Sequence, residues 1–283
     1  MVEDDRLVAD VLQSRSVPVV SAVWDDAAVD WSQFACVVIR STWDYHHKSA
    51  QYADWLLRRE SDGTRLWNPP KAVLANMNKR YLCEFASLGV EVVPTEYLAA
   101  ARGRSLRQVL GSRAWDDVVV KPAVSASAQG AWRTSLATVD ADQARFEEQC
   151  RTQDVLVQPY VKEVELRGEW SFVFFAGRYS HAVLKRPARG DFRVQEHFGG
   201  NSAPVDPPSG FVDQAGRILS RVDSPLLYAR VDGIERDGQF VLMELEINEP
   251  TLFLGLSRQA PARFAAAIEG VLSSPESRYH RAT

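Results

Sequence analysis

Glu244, Glu246 and Asn248 alternate along the run Phe240-Val-Leu-Met-Glu-Leu-Glu-Ile-Asn-Glu-Pro. The two-residue period of a strand puts these three on one face and Met243, Leu245 and Ile247 on the other. Carboxylates lined up on an apolar strand are costly unless they meet a cation. A donor set made only of oxygens suits a hard ion, Mg²⁺ or Mn²⁺. Just upstream stands Tyr228-Ala-Arg-Val-Asp-Gly-Ile. Taking Arg236-Asp237-Gly238 as a three-residue loop, with Gly in the left-handed position, pairs Glu235 with Gln239. Asp232 then lies opposite Leu242, one diagonal step from Glu244 on the same face, whereas a two-residue turn would put it on the wrong face. The plain alternative is a solvated sheet face with a ladder of glutamates, which like-charge repulsion disfavours.

A second group surrounds Lys121. Only six of the 33 basic residues are lysines: Lys48, Lys71, Lys79, Lys121, Lys162 and Lys185. A lysine is a compact point charge suited to a phosphate, whereas arginine is a planar fork. Val118-Val-Val-Lys-Pro runs into Ala-Val-Ser-Ala-Ser-Ala-Gln-Gly-Ala-Trp, with Ser125, Ser127 and one glycine, Gly130. Small residues let a loop backbone approach phosphates and offer its N–H groups. This is not a Walker A sequence, and an ordinary strand-end lysine with a small-residue loop explains it equally well. A third group is Val155-Leu-Val-Gln-Pro-Tyr-Val-Lys-Glu followed by Arg167-Gly-Glu-Trp-Ser. A strand, a short hinge and a second strand opening on Glu169 would offer backbone groups to a purine and a carboxylate to a ribose. Alone, an interdomain strand is the simpler reading.

The elements that must position these groups follow from periodicity. Asp4–Arg15 has helical spacing, and Val17–Trp24 and Cys36–Ser41 are short β-rich runs, the second nearly continuous in apolar residues as in a buried parallel strand. Ala50–Glu60 is an amphipathic helix, and Trp67-Asn-Pro-Pro a breaker. This reads as a parallel α/β half-domain that opens on a helix where such domains normally open on a strand. The first strand is therefore expected either upstream or lacking. Helices are expected at Asn76–Leu88 (stopped by Gly89), Ser105–Leu110, Gln143–Cys150, Val212–Val222 and Ala262–Ser273. Strands are expected at Val90–Val93, Val118–Pro122 and Val155–Val161. Hairpins follow at Trp170–Phe175/Tyr179–Leu184 and Leu227–Glu235/Gln239–Asn248, pointing to an antiparallel sheet.

Arg40, Trp43, Asp44 and Tyr45 fall just beyond a buried parallel strand, where open α/β sheets bind ligands. Arg40 is expected to pair with a substrate carboxylate and Asp44 with its ammonium; a loop salt bridge with an aromatic plug is the alternative. His46-His47 reads as a solvated loop, because adjacent side chains point apart. His197, in Gln-Glu-His-Phe-Gly-Gly, is a substrate contact or plain loop.

Composition narrows the classes. The chain has 283 residues, 46% of them apolar and 25% charged, with net charge −4. That is globular composition without a basic stripe, which argues against nucleic acid as a partner. No run approaches the ~20 apolar residues of a membrane span. Cys36, Cys83 and Cys150 are scattered and lack metal-ligand spacing, so the cytoplasm is the expected location.

Taken in order and spacing, these groups resemble the ATP-grasp superfamily of ATP-dependent carboxylate–amine ligases along nearly the whole chain. Met77-Asn-Lys79-Arg-Tyr-Leu resembles the first nucleotide lysine, Val-Val-Lys121-Pro the second, and Gln158-Pro-Tyr160-Val161 the adenine hinge, with Glu169 at the ribose position. Ala-Arg230-Val-Asp232 is similar to the D-alanine–D-alanine ligase motif, whose Arg stabilises the tetrahedral intermediate and whose Asp binds metal. Leu184-Lys185-Arg-Pro and Phe192-Arg193 are similar to the basic patch of prokaryotic glutathione synthetases. Arg40-Ser-Thr-Trp-Asp-Tyr45 and Glu244-Leu-Glu-Ile-Asn-Glu-Pro-Thr-Leu-Phe are similar to the O-ureido-D-serine cyclo-ligases of cycloserine biosynthesis, which adds Glu249 to the substrate residues.

The resemblance implies an α/β and α+β chain with the ATP-grasp fold. Residues 1–75 would form a parallel α/β domain, 76–163 the central lid, and 164–283 an antiparallel sheet domain with the metal site. It implies ATP and Mg²⁺ (or Mn²⁺), with ligands drawn from Asp232, Glu244, Glu246 and Asn248. The usual Glu-x-Asn motif has two registers here, Glu244/Glu246 or Glu246/Asn248. It also implies a small amino-acid-like substrate and leaves a homo-oligomer open. The phosphate loop is poor in glycine for the superfamily.

Overall fold

The computed structural model describes residues 1–101 and 103–274, so the last nine positions of the 164–283 stretch lie outside it. The chain opens on α1 (Glu3–Ser14), whose buried Asp5, Val8, Ala9 and Leu12 recur at helical spacing. Two short parallel strands follow, β1 (Val37–Val38) and β2 (Leu66–Trp67), separated by α2 (Ser49–Ser61). Their rung also takes in Ile39, whose N–H donates to the Trp67 carbonyl at 2.7 Å. The expected strand at Val17–Trp24 joins no sheet. Val17 and Val19 pack on the α1/α9 core and Trp24 is buried, but Val20 and Val23 are 67% and 61% exposed and no neighbouring strand pairs with the run. The Trp67-Asn-Pro-Pro breaker is at once the end of β2 and the start of α3 (Pro70–Met77), with Pro at the first helical position.

The helix expected at Asn76–Leu88 is two helices, α3 and α4 (Tyr81–Ser87), with Lys79 in the break between them. Asn78 Oδ1 accepts the Arg80 N–H at 2.9 Å, an Asx turn that competes with the helical ladder, and the Lys79 N–H donates to the Ala123 carbonyl at 2.8 Å. Val90–Val93 is not a regular strand. It makes one parallel bridge to Leu242, with the Leu242 N–H on the Glu91 carbonyl (2.8 Å) and the Val93 N–H on the Leu242 carbonyl (2.9 Å).

The middle of the chain forms β3 (Glu96–Leu98), α5 (Leu106–Arg113), β4 (Asp117–Pro122), β5 (Trp132–Ser135), α6 (Val139–Thr152) and β6 (Val155–Pro159). The strands make an antiparallel sheet in the order β3-β6-β4-β5. Ser105 caps α5 with a capping box to Gln108. Strands β3 and β5 were not expected: both are three or four residues long and half polar, too short for alternation to show.

After α7 (Glu163–Leu166) come β7 (Glu169–Phe175), β8 (Arg178–Arg186), β9 (Asn201–Pro204), α8 (Phe211–Leu219), β10 (Tyr228–Arg236), β11 (Gln239–Glu246) and α9 (Ala260–Ser273). The strands make one antiparallel sheet, β11-β10-β7-β8-β9. One face buries Trp170, Phe172, Phe211 and Phe240 with Leu242 and Leu245. Elsewhere α9 packs Phe264 and Ala265 with Val8 and Leu12 of α1. Each large apolar side chain among them contributes roughly 1.5–3 kcal/mol by burial. Among the described residues no helix is long and apolar enough to cross a membrane.

The β10–β11 turn differs from the expected three-residue loop. Arg236 pairs with Gln239 around Asp237-Gly238, which sit at φ 52° and 75°, the two left-handed positions of a two-residue turn. Asp232 nevertheless reaches the intended face. The ladder runs regularly to Gly233↔Leu242, then resumes at Asp232↔Glu244, leaving Met243 as the extra residue of a β-bulge. A Cβ on Gly233 would collide with the Val241 carbonyl oxygen and the Phe240 ring, so the bulge needs glycine.

Candidate active site

The two antiparallel sheets face each other across a cavity of about 570 Å³. Its floor is one face of the larger sheet. A single rung carries Glu244, Asp232 and Ser171 across β11, β10 and β7, and the next pairs Glu246 with Arg230. Glu169 pairs with Lys185 two residues further along β7. The alternation of β11 and the Arg-Val-Asp spacing of β10 thus put acids and bases in one checkerboard.

Arg230 is its hub. Its Nε and Nη2 donate to Asp232, Nη2 also meets Glu246, and Nη1 donates to the Thr251 carbonyl at 2.9 Å. The Phe253 ring centroid lies 5.5 Å from the guanidinium. Asp232 is 1% exposed. Burial opposes its charge, but Arg230 and then Lys185 outweigh burial and hold the carboxyl far below the usual range. Its oxygens accept from Ser171 Oγ (2.7 Å) and Lys185 Nζ (3.0 Å) as well. Lys185 also donates to Glu169 at 2.6 Å. Burial works against that ammonium too, yet Asp232 and Glu169 raise its pKa. The expected ribose carboxylate, Glu169, is therefore paired with Lys185.

The side of the smaller sheet supplies Lys121 from β4, and the break between α3 and α4 supplies Lys79. Lys79 Nζ donates to the Ser125 carbonyl at 2.6 Å and lies 3.3 Å from Glu244. Lys121 lines the cavity; burial lowers its pKa, partly offset by Glu244. Ser125 and Ser127 line the cavity, and Ser127 and Ala128 adopt left-handed φ of 53° and 56° without being glycine. Gly130, expected at the phosphates, is not in the wall. It packs on Pro122, which a Cβ there would meet at 2.9 Å. In the hinge, Gln158, Tyr160 and Val161 line the cavity. The Tyr160 N–H is engaged by the Asp117 carbonyl (2.8 Å), which narrows the expected backbone contacts to the Tyr160 carbonyl and Val161.

The far end is walled by Trp43, Tyr45, Asn248, Glu249 and Phe253, with Arg193 and His197 on the rim. Trp43 Nε1 donates to the Glu249 carbonyl at 3.0 Å. Two expected substrate residues are elsewhere. Arg40 donates from Nε to Asp5 at 2.8 Å and lies 5.2 Å from the Tyr228 ring, outside the cavity wall. Asp44 accepts from Trp24 Nε1 (3.2 Å) and Lys48 (3.3 Å), so the salt bridge with an aromatic plug is what forms. Arg193 pairs with Asp191 at 2.7 Å and stacks 3.5 Å over Phe198. His46 meets Gln129 of the phosphate-side loop.

The donor set fits a hard cation in part. Burial first, with Glu244 and Asp232 adding to it, pushes the Glu246 carboxyl up to about 7. Burial and then Glu246 push Glu249 up to about 8. This cluster has more negative charge than its cations relieve, and further positive charge would settle it. Glu244 and Glu246 keep side chains 31% and 28% exposed to the cavity. Asp232 is different: as placed, it organises Arg230 and Lys185 instead of standing open as a ligand. Asn248 Oδ1 accepts from Tyr52 Oη at 2.7 Å, and its Nδ2 is buried without a partner. Among the described residues no three carboxylate, imidazole or thiol groups are already gathered as a ligand set.

Several functional contacts escaped the sequence. Ser171 was within reach, since it shares a strand face with Glu169. Thr251 and Phe253 stood inside the Glu244–Phe253 motif without a role of their own, and Tyr52 carried no signal, because their contacts are made by distant segments.

Residues 1–68 match the family model described as the N-terminal domain of the D-cycloserine synthetase DcsG. The cycloserine biosynthesis protein DcsG of Streptomyces lavendulae is 32% identical over 270 residues, 90% of this chain and 89% of that one. The crystal structure of D-cycloserine synthetase DcsG superposes with a TM-score of 0.85 at 29% identity, covering 95% of each chain. A glutathione synthetase of Prochlorococcus marinus (strain MIT 9313) is 27% identical over 256 residues, 86% of this chain and 77% of its own. With that degree of identity along nine-tenths of its length, the chain belongs with DcsG in the ATP-grasp superfamily of ATP-dependent carboxylate–amine ligases.

Proposed function

We propose that this ligase activates the carboxylate of a small amino-acid-like substrate as an acyl phosphate and closes it onto an amine of the same molecule. The observation that carries this reading is the checkerboard of Arg230, Lys185, Lys79 and Lys121 against Asp232, Glu244 and Glu246 on one cavity. ATP-grasp ligases use ATP and Mg²⁺. Similarity to a cycloserine synthetase favours the intramolecular outcome.

In this reading the substrate carboxylate oxygen attacks the γ-phosphorus, ADP leaves, and the amine then attacks the acyl carbon as inorganic phosphate and a proton depart. Lys79 and Lys121 hold phosphates from the lid, and the hinge at Gln158–Val161 holds the purine. Glu169 reaches the ribose once Lys185 turns toward the phosphates. Arg230 faces the oxyanion of the tetrahedral intermediate, a role worth roughly 3–4 kcal/mol when one such donor is lost. Glu244 and Glu246 would hold Mg²⁺, and Asp232 or Asn248 would complete the set on release from its present partners. When bound, the ion neutralises charge on the phosphate oxygens. Exclusion of water by the lid keeps the acyl phosphate from hydrolysis. Stretches 1–75, 76–163 and 164–283 serve as substrate, lid and metal parts. The enzyme works in the cytoplasm on a small molecule, without nucleic acid or membrane.

The test is ADP release with Mg²⁺ across amino acids and their ureido and hydroxamate derivatives, O-ureido-D-serine included. Dependence on one compound supports cyclisation. A requirement for two establishes a two-substrate, peptide-type ligase instead. ADP release that persists in both Asp232→Ala and Glu246→Ala would refute the metal assignment.

A further inference from the structure

We propose that two adjacent carboxylates of α1, Asp4 and Asp5, position the substrate end of the cavity, each holding one of its two walls. The inference rests on the ligase reading for what the walls do, and on geometry alone for how they are held. One wall is the loop after β1, which carries Trp43 and Tyr45. The other is the loop after β11, which carries Glu249, Thr251 and Phe253.

Asp4 holds the second wall. Its Oδ2 accepts the Leu252 N–H at 2.9 Å and its Oδ1 the Leu254 N–H at 2.5 Å. Leu252 and Leu254 are 0% and 1% exposed, so these amides have no water to turn to, and leaving them unpaired would be costly. On the other side His181 Nε2 contacts the Leu252 carbonyl at 2.9 Å. Between the two held residues Phe253 adopts φ 52°, a left-handed conformation that a bulky side chain keeps only when its surroundings impose it. That conformation directs the Phe253 ring to Arg230 and leaves the Thr251 carbonyl on Arg230 Nη1.

Asp5 holds the first wall. It is 7% exposed, and it accepts from Arg40 Nε at 2.8 Å and Ser41 Oγ at 2.6 Å. Arg40 Nη2 lies 4.0 Å from Asp4, which joins the two clamps. Consecutive helical residues point about 100° apart, which suits two acids serving two loops. The walls meet where Trp43 Nε1 donates to the Glu249 carbonyl. Asp4 and Asp5 do not line the cavity and are positioning residues. Arg230 is fixed on one side by the acids of its own sheet and on the other by a loop whose shape α1 sets.

The test compares the full chain with Asp4→Asn and Ser41→Ala. Asn keeps the size of Asp but turns one acceptor into a donor that faces a backbone N–H. Ser41→Ala removes a single hydrogen bond from the Asp5 clamp and keeps a folded protein in hand should Asp4→Asn fail to fold. Three measurements are made: hydrogen exchange by peptide, the Kd of Mg–AMPPNP, and steady-state kinetics with O-ureido-D-serine. In Asp4→Asn, exchange across 248–256 should rise at least fivefold, with the lid peptide 117–131 unchanged and the nucleotide Kd within twofold. kcat/KM for the carboxylate should fall about tenfold while KM for ATP holds. Ser41→Ala should speed exchange across 38–47 alone. Unchanged loop exchange, or a rise throughout the chain with weakened nucleotide binding, overturns the proposal. A wild-type enzyme that releases no ADP with O-ureido-D-serine counts against that substrate, and the exchange data still decide the clamp.

Discussion

Asp232 faces Glu244 directly across the β10–β11 hairpin, although the Asp237-Gly238 turn alone would have put them on opposite faces of the sheet. The bulge at Met243 makes up the missing residue, and Gly233 is what makes room for it. The alignment of this rung therefore depends on a backbone defect about five residues along each strand from the turn it corrects.

Gly233→Ala is the direct probe of that dependence. Forcing a methyl against the Val241 carbonyl and the Phe240 ring costs roughly 1–3 kcal/mol, as overpacking does. It should also slide Asp232 out of line with Glu244. Thermal unfolding should show the lower melting temperature, and ADP release should fall at least a hundredfold, more than the loss of folded protein explains.

Arg230→Lys retains one charge and loses the fork that spans Asp232, Glu246 and Thr251. kcat should fall by about 10²–10³, as for loss of a charge-stabilising donor. The Kd of Mg–AMPPNP should change little, because the proposed mechanism assigns the nucleotide to Lys79, Lys121 and the hinge. Equal losses in binding and turnover would place Arg230 on the nucleotide instead.

Lys185→Met leaves Asp232 and Glu169 buried with one cation fewer. Breaking a buried pair in this way costs roughly 3–5 kcal/mol. Denaturant unfolding should show a loss of that order at pH 8, shrinking toward pH 5 as Glu169, its pKa already raised by burial, takes up a proton.

Glu249 gives a pH signature. Its pKa is raised from the ordinary carboxylate value to about 8. The folded state binds this proton more tightly than the unfolded chain does, so the associated stability is present below pH 4.5 and is lost as pH rises toward 8. Glu249→Gln should therefore unfold at a higher temperature than wild type at pH 8.5 and at nearly the same temperature at pH 4.5. The gap should be about 1–2 kcal/mol once discounted for solvent in the cavity. A constant gap across pH 4.5–8.5 would remove Glu249 from the charge cluster.

Lys79→Met should disturb two things at once. It removes a phosphate-side charge and frees the Ser125 carbonyl, so KM for ATP should rise about tenfold or more. Lys121→Met removes charge alone and should leave protease sensitivity of the 123–131 loop unchanged, whereas Lys79→Met should increase it.

The larger sheet and its acids were legible because long strands with strict alternation report both structure and face. Glu244 and Glu246 stand out in β11 for that reason. The bulge left one trace, a glycine inside a strand at position 233, and Asp-Gly is itself the signature of a two-residue turn. Those two facts are compatible only when read together. The break at Lys79 was hidden by residues on both sides that favour helix, and only the Asn78 side chain and a carbonyl from Ala123 decide against one continuous helix. Arg40 was misplaced because its true partner, Asp5, lies 35 positions earlier and nothing local announces it.

The indole of Trp43 and the carbonyl of Glu249 are 206 positions apart in sequence. The end of the cavity proposed to receive the substrate is thus assembled from opposite ends of the polypeptide. A chimera that borrows only the first third from a relative would join halves that had never been fitted to one another. A new preference would have to arise by paired changes around both residues, and neither end should transmit it alone.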